Sequence, residues 1–409
     1  MITLLIIADD LTGALDTGTQ FAKQGIKTLV TTDIDIEMSD IDPNIEVLVV
    51  DTETRHKNPN EAYEIVFSLA KKATDGNIKH IYKKIDSVFR GNPGSELLAA
   101  MNGAGSKKLM FVPAYPDNGR TTVDGIQYVS GVPVAESHFV YDPRSPVMNS
   151  YIPDLIKQNT DVKTKVITSG EETDFNDFYG IMIFDAKTNE DMVEIGCLLN
   201  RARQLYLTAG CAGFAGILCN ILTFTKHNSE SINFGDNILI VSGSVNKTSI
   251  KQMEHLKKTG SEGFTLTPGQ KQKKDAGDST QIKELTGFIK DTLTQKGSAY
   301  IEAVGSEASI IDADPSTITN NIGVIVKQVA DEFPIDNLFV IGGDTLLGVM
   351  EQLGINELIP MLELSPGVVL SKVLNGKYTF NLITKSGGFG HMDAVSNVLS
   401  TLLSRRQKI

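Results

Sequence analysis

Short, continuously apolar runs recur along this chain, separated by stretches whose apolar positions return every three or four residues. The first run, residues 4–8, predicts a strand. Residues 12–23 then read as a helix, 27–31 as a strand and 46–50 as a strand that ends at Asp51. A helix over 60–72, a strand over 81–85 and a helix over about 94–101 follow, then a strand over 109–112 that ends in Pro113. Proline and glycine are frequent from 116 to 146, which predicts a long excursion with a hairpin around Gly131. In the second half the pattern gives strands over 238–241, 299–304, 338–341, 368–373 and 379–384. Helices are expected from about Thr248 and over 282–294, 317–333, 346–353 and 392–403. Strands alternating with helices predict an α/β protein with mainly parallel sheets.

The polar stretch 227–237 is the best linker, giving two domains, 1–228 and 237–409. A second polar stretch, 257–279, reads as a surface loop with short strands. The length of 409 residues, about twice that of an ordinary domain, fits two compact units.

Composition narrows the function. Hydrophobic residues make up 41% and charged residues 22%, which excludes a disordered chain. Lys and Arg number 38 against 50 Asp and Glu, a net charge of −12, so nucleic acid and anionic membranes are poor partners. An anionic small substrate remains open, held in a locally basic pocket. Cys197, Cys211 and Cys219 lack CxxC spacing and read as reduced thiols buried in or near helices. The six histidines are scattered without an HExxH pattern, so no structural metal is expected. With no leader or spanning segment in the pattern, a cytoplasmic protein is expected.

Ligands of open α/β sheets bind beyond the carboxyl ends of strands, so the residues that follow each strand carry the chemistry. After the first strand come Asp9, Asp10, Leu11, Thr12 and Gly13, read either as a helix capped by Thr12 or as an acidic site. After the strand over 81–85 come Asp86, Ser87 and Arg90. Alternation puts Lys84 and Asp86 on one face and Lys83 and Ile85 on the other. Surface ion pairs are the plain alternative. Arg55 stands on the same tier, where a guanidinium suits bidentate capture of a carboxylate. The loop Tyr115 to Thr121 reads equally as a binding loop or a turn.

In the second half three strands run into glycine turns: Ser242-Gly243-Ser244, Gly342-Gly343-Asp344-Thr345, and Lys385-Ser386-Gly387-Gly388-Phe389-Gly390. Glycines there let amide N–H groups approach phosphate oxygens, and a lysine neutralises their charge. Three such turns point to a nucleotide cradle. There is no Walker GxxxxGK[ST] motif and no GxGxxG fingerprint.

These segments together resemble the four-carbon acid sugar kinase family. The resemblance runs through residues 7–14, Lys84-Ile85-Asp86-Ser87 with Arg90-Gly91-Asn92, residues 116–125, Asp142-Pro143 with Pro146, residues 210–213, and the three glycine turns. It implies an N-terminal acid-sugar-binding domain and a C-terminal nucleotide-binding domain. Asp9, Asp10, Arg55, Lys84, Ile85, Asp86 and Ser87 fall where the family binds substrate. Ser244, Gly342, Gly343, Asp344, Thr345, Lys385, Gly387 and Gly388 fall where it binds ATP. Pro93, Ser95 and the run Val245-Asn246-Lys247 depart from the family pattern without removing a charged residue. Residues 15–18 and 20–23 look most like the D-threonate kinase branch.

The expected reaction moves the γ-phosphoryl group of Mg-ATP to the C4 hydroxyl of a tetronate, by positioning and charge neutralisation. Arg55 and Lys84 would hold the substrate, Asp10 or Asp86 would accept the hydroxyl proton, and Arg90 or Lys385 would neutralise the moving group. Mg²⁺ would sit mainly on phosphates and water, with Asp344 either joining it or capping its helix. Transfer would need the two domains to close on each other. Two rival readings differ in class. A phosphatase nucleophile pair fits poorly because its acids are spaced by one residue, and a non-catalytic acid-sugar sensor would bind ATP without turnover. Long helices and apolar content also permit a homodimer.

Overall fold

A computed structural model describes residues 1–142, 144–228, 231–272, 280–306, 314–374 and 377–405. The chain forms two compact units, Met1–Asn228 and Ser229–Ile409. Ser229 and Glu230 of the expected linker, residues 273–279 of the second polar stretch, and Pro143 lie outside the described residues.

The first unit opens with β1 (Leu4–Ala8), α1 (Leu11–Ala22), β2 (Thr28–Thr31), β3 (Val47–Asp51), α2 (Pro59–Asp75), β4 (His80–Lys84), α3 (Pro93–Gly103) and β5 (Lys108–Val112). The excursion that follows folds β6 (Arg120–Val123), β7 (Ile126–Val129) and β8 (Val132–Pro133) into a small antiparallel sheet. Ser130 and Gly131, at φ 49° and 82°, join the last two with the pair of positive φ angles that a tight hairpin needs. Then come α4 (Ile152–Lys157), β9 (Thr164–Ile167), β10 (Gly180–Phe184), α5 (Asn189–Arg201), β11 (Leu207–Gly210) and α6 (Ala212–Ile221). The main sheet runs β2-β3-β1-β4-β11-β5-β10-β9 with every pairing parallel.

Its central strands β1 and β3 are buried at every position, as parallel strands covered on both faces must be. Each buried Leu, Ile or Val contributes roughly 1.5–3 kcal/mol. Polar residues are thereby confined to strand ends, and the site residues stand there.

The second unit holds β12 (Ile238–Ser242), α7 (Lys247–Lys258), β13 (Gly263–Thr265), α8 (Pro268–Gln272), α9 (Thr280–Lys296), β14 (Ser298–Glu302), α10 (Pro315–Glu332), β15 (Asn337–Ile341), α11 (Gly343–Leu353), β16 (Glu357–Ser365), β17 (Val368–Val373), β18 (Asn381–Lys385) and α12 (Ala394–Arg405). Its strands run β13-β14-β12-β15-β18-β17-β16; the first five are parallel and the last two antiparallel. Phe339, Ile341, Ile383, Met253, Leu256 and Val395 pack one face of that sheet.

Three expectations change. The strand expected over 299–304 stops at Glu302. The second polar stretch carries a short helix, α8, whose Gln270 and Lys271 are buried. Cys197 is exposed on α5, whereas Cys211 and Cys219 are buried and burial pushes both thiols up to about 12. Among the described residues no helix is long and apolar enough to cross a membrane.

Candidate functional site

Register builds the site of the first unit. Ala8 of β1 is paired with Asp51 of β3 on one side and Lys84 of β4 on the other. The chain therefore leaves the sheet at one level in three adjacent places, bringing together residues 9–10, 52–55 and 85–90. Asp10, rather than Thr12, caps α1: its carboxylate accepts from the Gly13 N–H at 3.2 Å, while Thr12 donates its hydroxyl to Asp10 Oδ2 at 2.6 Å. Arg55 lies across both acids. Its Nε donates to Asp9 Oδ2 at 2.8 Å, and its Nη1 and Nη2 donate to Asp10 Oδ2 and Oδ1 at 2.8 and 2.6 Å. Lys84 Nζ donates to Asp9 Oδ1 and Asp10 Oδ1, each at 2.9 Å.

Asp86 extends the cluster. It lies 3.6 Å from Arg55 Nη2 and accepts from Arg90 Nε and Nη2 at 3.0 and 2.9 Å. Arg90 reaches on to Asp142 at 3.4 Å. Its side chain is 28% exposed, against 9% for Arg55 and 6% for Lys84, so it is the cation of the three most open to a ligand. Lys83 points the opposite way, as alternation requires, and pairs with buried Glu96 of α3 at 2.7 Å. Ile85 has its side chain in the core, and its N–H donates to the Gly210 carbonyl at 2.9 Å. The Ser87 carbonyl accepts from Gln127 Nε2 at 2.9 Å.

Charge pairing decides which groups titrate. Burial alone would raise the carboxyl of Asp10, yet Arg55 and Lys84 hold it well below the usual range. Burial raises and Arg90 with Arg55 lower Asp86, and the cations win there too. Burial likewise opposes the charge of Lys84, but Asp10 and Asp9 keep it firmly protonated. Two carboxyls that the sequence did not single out behave in the opposite way. Burial and then Glu53 and Asp10 push Asp51 well up, and burial with Asp10 raises Glu53 to about 7. Glu53 sits at φ 46°, a left-handed conformation rare outside glycine, and accepts from the Leu11 N–H at 3.1 Å.

In the second unit the three glycine turns meet. The Gly342 N–H donates to the Lys385 carbonyl at 2.9 Å, and Ser249 Oγ to the Gly387 carbonyl at 2.7 Å. A Cβ on Gly243 would stand 2.3 Å from Thr345 Oγ1, and one on Gly387 2.7 Å from Ser244 Oγ, so the turns have no room for side chains there. Gly342, at φ 105°, is the N-cap of α11, which leaves Asp344 in the first helical turn. Asn246 caps α7, accepting from the Thr248 N–H at 2.9 Å. Lys385 is buried, donates to the Ser386 carbonyl at 2.9 Å, and is drawn down to about 8 by burial. Among the described residues no carboxylate offsets that cost. A buried cation beside a glycine-lined group of helix N-termini suits a phosphate chain.

Residues 4–218 match the model of a sugar-binding N-terminal domain, and residues 239–395 that of a nucleotide-binding C-terminal domain. The chain belongs to the four-carbon acid sugar kinase family. It is an ATP-dependent kinase of four-carbon acid sugars. A D-threonate kinase from Salmonella typhimurium is 26% identical, covering 97% of each chain. A D-erythronate kinase from Heliobacterium modesticaldum is 24% identical over 99% of this chain and 98% of its own. A 3-oxo-tetronate kinase from Burkholderia multivorans is 23% identical over 97% and 96%. Solved structures of a Salmonella typhimurium LT2 protein and a Haemophilus influenzae protein share the fold, with TM-scores of 0.80 and 0.72 at 20% identity. They cover 97% and 98% of this chain and 99% and 100% of their own.

In this kinase Asp9, Asp10, Arg55, Lys84, Asp86 and Arg90 form one charged cluster, with Ile85 and Ser87 on the same segment. Ser244, Gly342, Thr345, Lys385 and Gly387 form another group, with Gly343, Asp344 and Gly388 on the same turns. Arg55 and Lys84, expected as open anchors for a substrate, are engaged by Asp9 and Asp10. Asp10 and Asp86, expected as proton acceptors, already accept five and four hydrogen bonds. Sequence reasoning gave Glu53 and Asp142 no role, although Glu53 stands on the same tier as Arg55 and Asp142 lies within the family resemblance.

Proposed function

We propose that this kinase transfers the γ-phosphoryl group of Mg-ATP to the C4 hydroxyl of a tetronate, with D-threonate the favoured acceptor. The observation that carries the reading is the buried cluster of Asp9, Asp10, Arg55, Lys84, Asp86 and Arg90 at the carboxyl ends of β1, β3 and β4. A small polyhydroxy acid needs both acceptors for its hydroxyls and cations for its carboxylate, and that cluster offers both. Arg90, the most exposed cation, meets the incoming carboxylate, with Arg55 and Lys84 behind it. Asp9 takes a substrate hydroxyl, Asp10 and Asp86 hold the cations in place, and the main chain of residues 85–87 lines the floor.

The nucleotide phosphates lie against Ser244, Gly342, Gly343, Thr345, Gly387 and Gly388, with Lys385 neutralising them. Among the described residues no group of three or more His, Cys, Asp or Glu side chains is placed to hold a metal ion. Asp344, in the first turn of α11, would supply one ligand to Mg²⁺, with phosphate and water supplying the rest. The ion, when bound, neutralises charge on the β- and γ-phosphates. D-threonate is favoured by the Salmonella relative and by residues 15–18 of α1; the erythronate and 3-oxo-tetronate relatives keep those acids on the test panel.

The test is ADP release with Mg-ATP across tetronate stereoisomers, 3-oxo-tetronates and 4-hydroxythreonine, beside an ATP-free phosphatase control. Turnover fastest with D-threonate supports the reading, and turnover with another acid replaces only the substrate. Phosphate release without ATP, or ATP binding with silence across the panel, overturns it. Arg55→Lys keeps the charge but loses the fork, so the acid-sugar KM should rise about tenfold or more while the ATP KM stays within about twofold.

A further inference from the structure

Phosphoryl transfer to a hydroxyl releases a proton, and the charged cluster is badly placed to take it. Asp10 and Asp86 are saturated with donors, and Asp9 is bound by Arg55 and Lys84. A carboxylate that already accepts from two cations gains little by accepting a proton.

Among the described residues, one neighbouring carboxylate accepts no hydrogen bond from a cation. Glu53 is only partly buried, follows the end of β3, and touches the N-terminus of α1 through a single hydrogen bond from Leu11. Its own N–H donates to Asp51 Oδ1 at 3.2 Å. Burial and the adjacent Glu53 push the Asp51 carboxyl well up, so Asp51 stands beside Glu53 as the acid and shares a side-chain hydrogen bond with it. The titratable groups facing Glu53 are Asp51, Asp10 and Arg55, of which Asp10 and Arg55 are charged. Its backbone, held at positive φ, fixes the side chain next to Asp10, which is the kind of strain that functional positions retain.

We propose that Glu53 is the general base, accepting the proton of the acid-sugar hydroxyl as that oxygen attacks the γ-phosphorus. This rests on the kinase reading above. The hydroxyl oxygen forms its bond to phosphorus, the bond from phosphorus to the β,γ-bridging oxygen breaks, ADP leaves, and Glu53 carries the proton until it passes to water. No further reactant is needed. The raised affinity of Glu53 for protons, near pH 7, matches such a group to neutral conditions.

The experiment is a single-turnover pH profile with the full-length enzyme, Mg-ATP and whichever tetronate the panel identifies. The wild-type rate should fall about tenfold per pH unit below about pH 7 and level off above it. Glu53→Gln keeps the acceptor for Leu11 and should lower the plateau rate by about 100-fold or more, remove the acid limb, and leave the acid-sugar KM within about threefold. Glu53→Asp should retain the limb at a rate lowered by about tenfold. A wild-type profile flat from about pH 5.5 to about 8.5 overturns the assignment whatever the variants do. So does Glu53→Gln activity within about threefold of wild type, or a limb that survives in it. Should Glu53→Gln not fold, loss of the limb in Glu53→Asp overturns the proposal and its retention supports it. Silence of the wild type across the panel is a different outcome: it fails the kinase reading, whereas wild-type turnover with an unaffected Glu53→Gln fails only Glu53.

Discussion

Lys83 and Lys84 are neighbours on β4, and the pleat gives them opposite tasks. Lys83 is fully buried against Glu96, and Lys84 joins the aspartates of the site. Lys83→Met strands a buried carboxylate and should cost about 3–5 kcal/mol of stability, read by denaturant titration, with the acid-sugar KM of the surviving folded enzyme unchanged. Lys385 gives a pH-dependent expectation. Its ammonium is lost as pH rises through about 8, so ATP affinity should weaken above that value. Binding near pH 8 should take up protons, measurable by calorimetry in buffers of different ionisation enthalpy. Glu53 has the reverse sign. Its native pKa lies above the unfolded 4.5, so its contribution to stability is fully present below about pH 4.5 and lost as pH rises toward 7. Glu53→Gln should therefore stabilise the protein by roughly 1–3 kcal/mol at pH 8 and hardly at all at pH 4.5. The aspartates, arginines and lysines of the cluster were legible because they stand at strand ends or in the short segments after them. Glu53 stands on the same segment as Arg55, but its role was not legible, because its place beside Asp10 depends on which residue of β3 pairs with Ala8.

At the scale of elements, α1 shows how a helix start serves a site. Gly13 lies so close to Lys84 that a Cβ would fall 1.9 Å from Nζ. Alanine favours a helix over glycine by about 1 kcal/mol, which only partly offsets moving a buried ammonium off its carboxylates, so Gly13→Ala should lower the melting temperature. It should also push Lys84 off Asp10 and raise the acid-sugar KM about tenfold or more, which steady-state kinetics would read. The apolar pattern located β1, β3, β12 and β15 to within a residue or two because each is a short hydrophobic run ending in charge, serine or glycine. β16 escapes that pattern: Pro360 interrupts it, and the strand tolerates the proline at a register shift beside its antiparallel partner. β9, Thr-Lys-Val-Ile, is a half-exposed edge strand with little signal. α6 is small and apolar on most sides, so no polar face marks its period.

The molecule as a whole has two units with separate chemistry, and ligand binding should be separable by mutation. Ligand at about 100 times its Kd adds about 2.7 kcal/mol, a rise of roughly 5–10 °C in melting temperature. Lys385→Met should lose that rise with ATP and keep it with the acid sugar, and Arg55→Lys should show the converse. Thermal melts of the two variants with each ligand check this. The two-unit plan was legible from the sequence; strand order was not, since periodicity marks strands without naming their neighbours.

That order has a consequence for biosynthesis. β11, residues 207–210, lies between β4 and β5, which precede it by about a hundred residues or more. A ribosome adding about 5–20 residues per second has long since released β1, β3 and β4 when β11 emerges. For roughly 5–25 s the nascent chain holds its catalytic strands with an open edge where β11 belongs. The N-terminal unit thus closes only when its last strand arrives, and slowing translation just before residue 207 should prolong its exposure to chaperones and proteases.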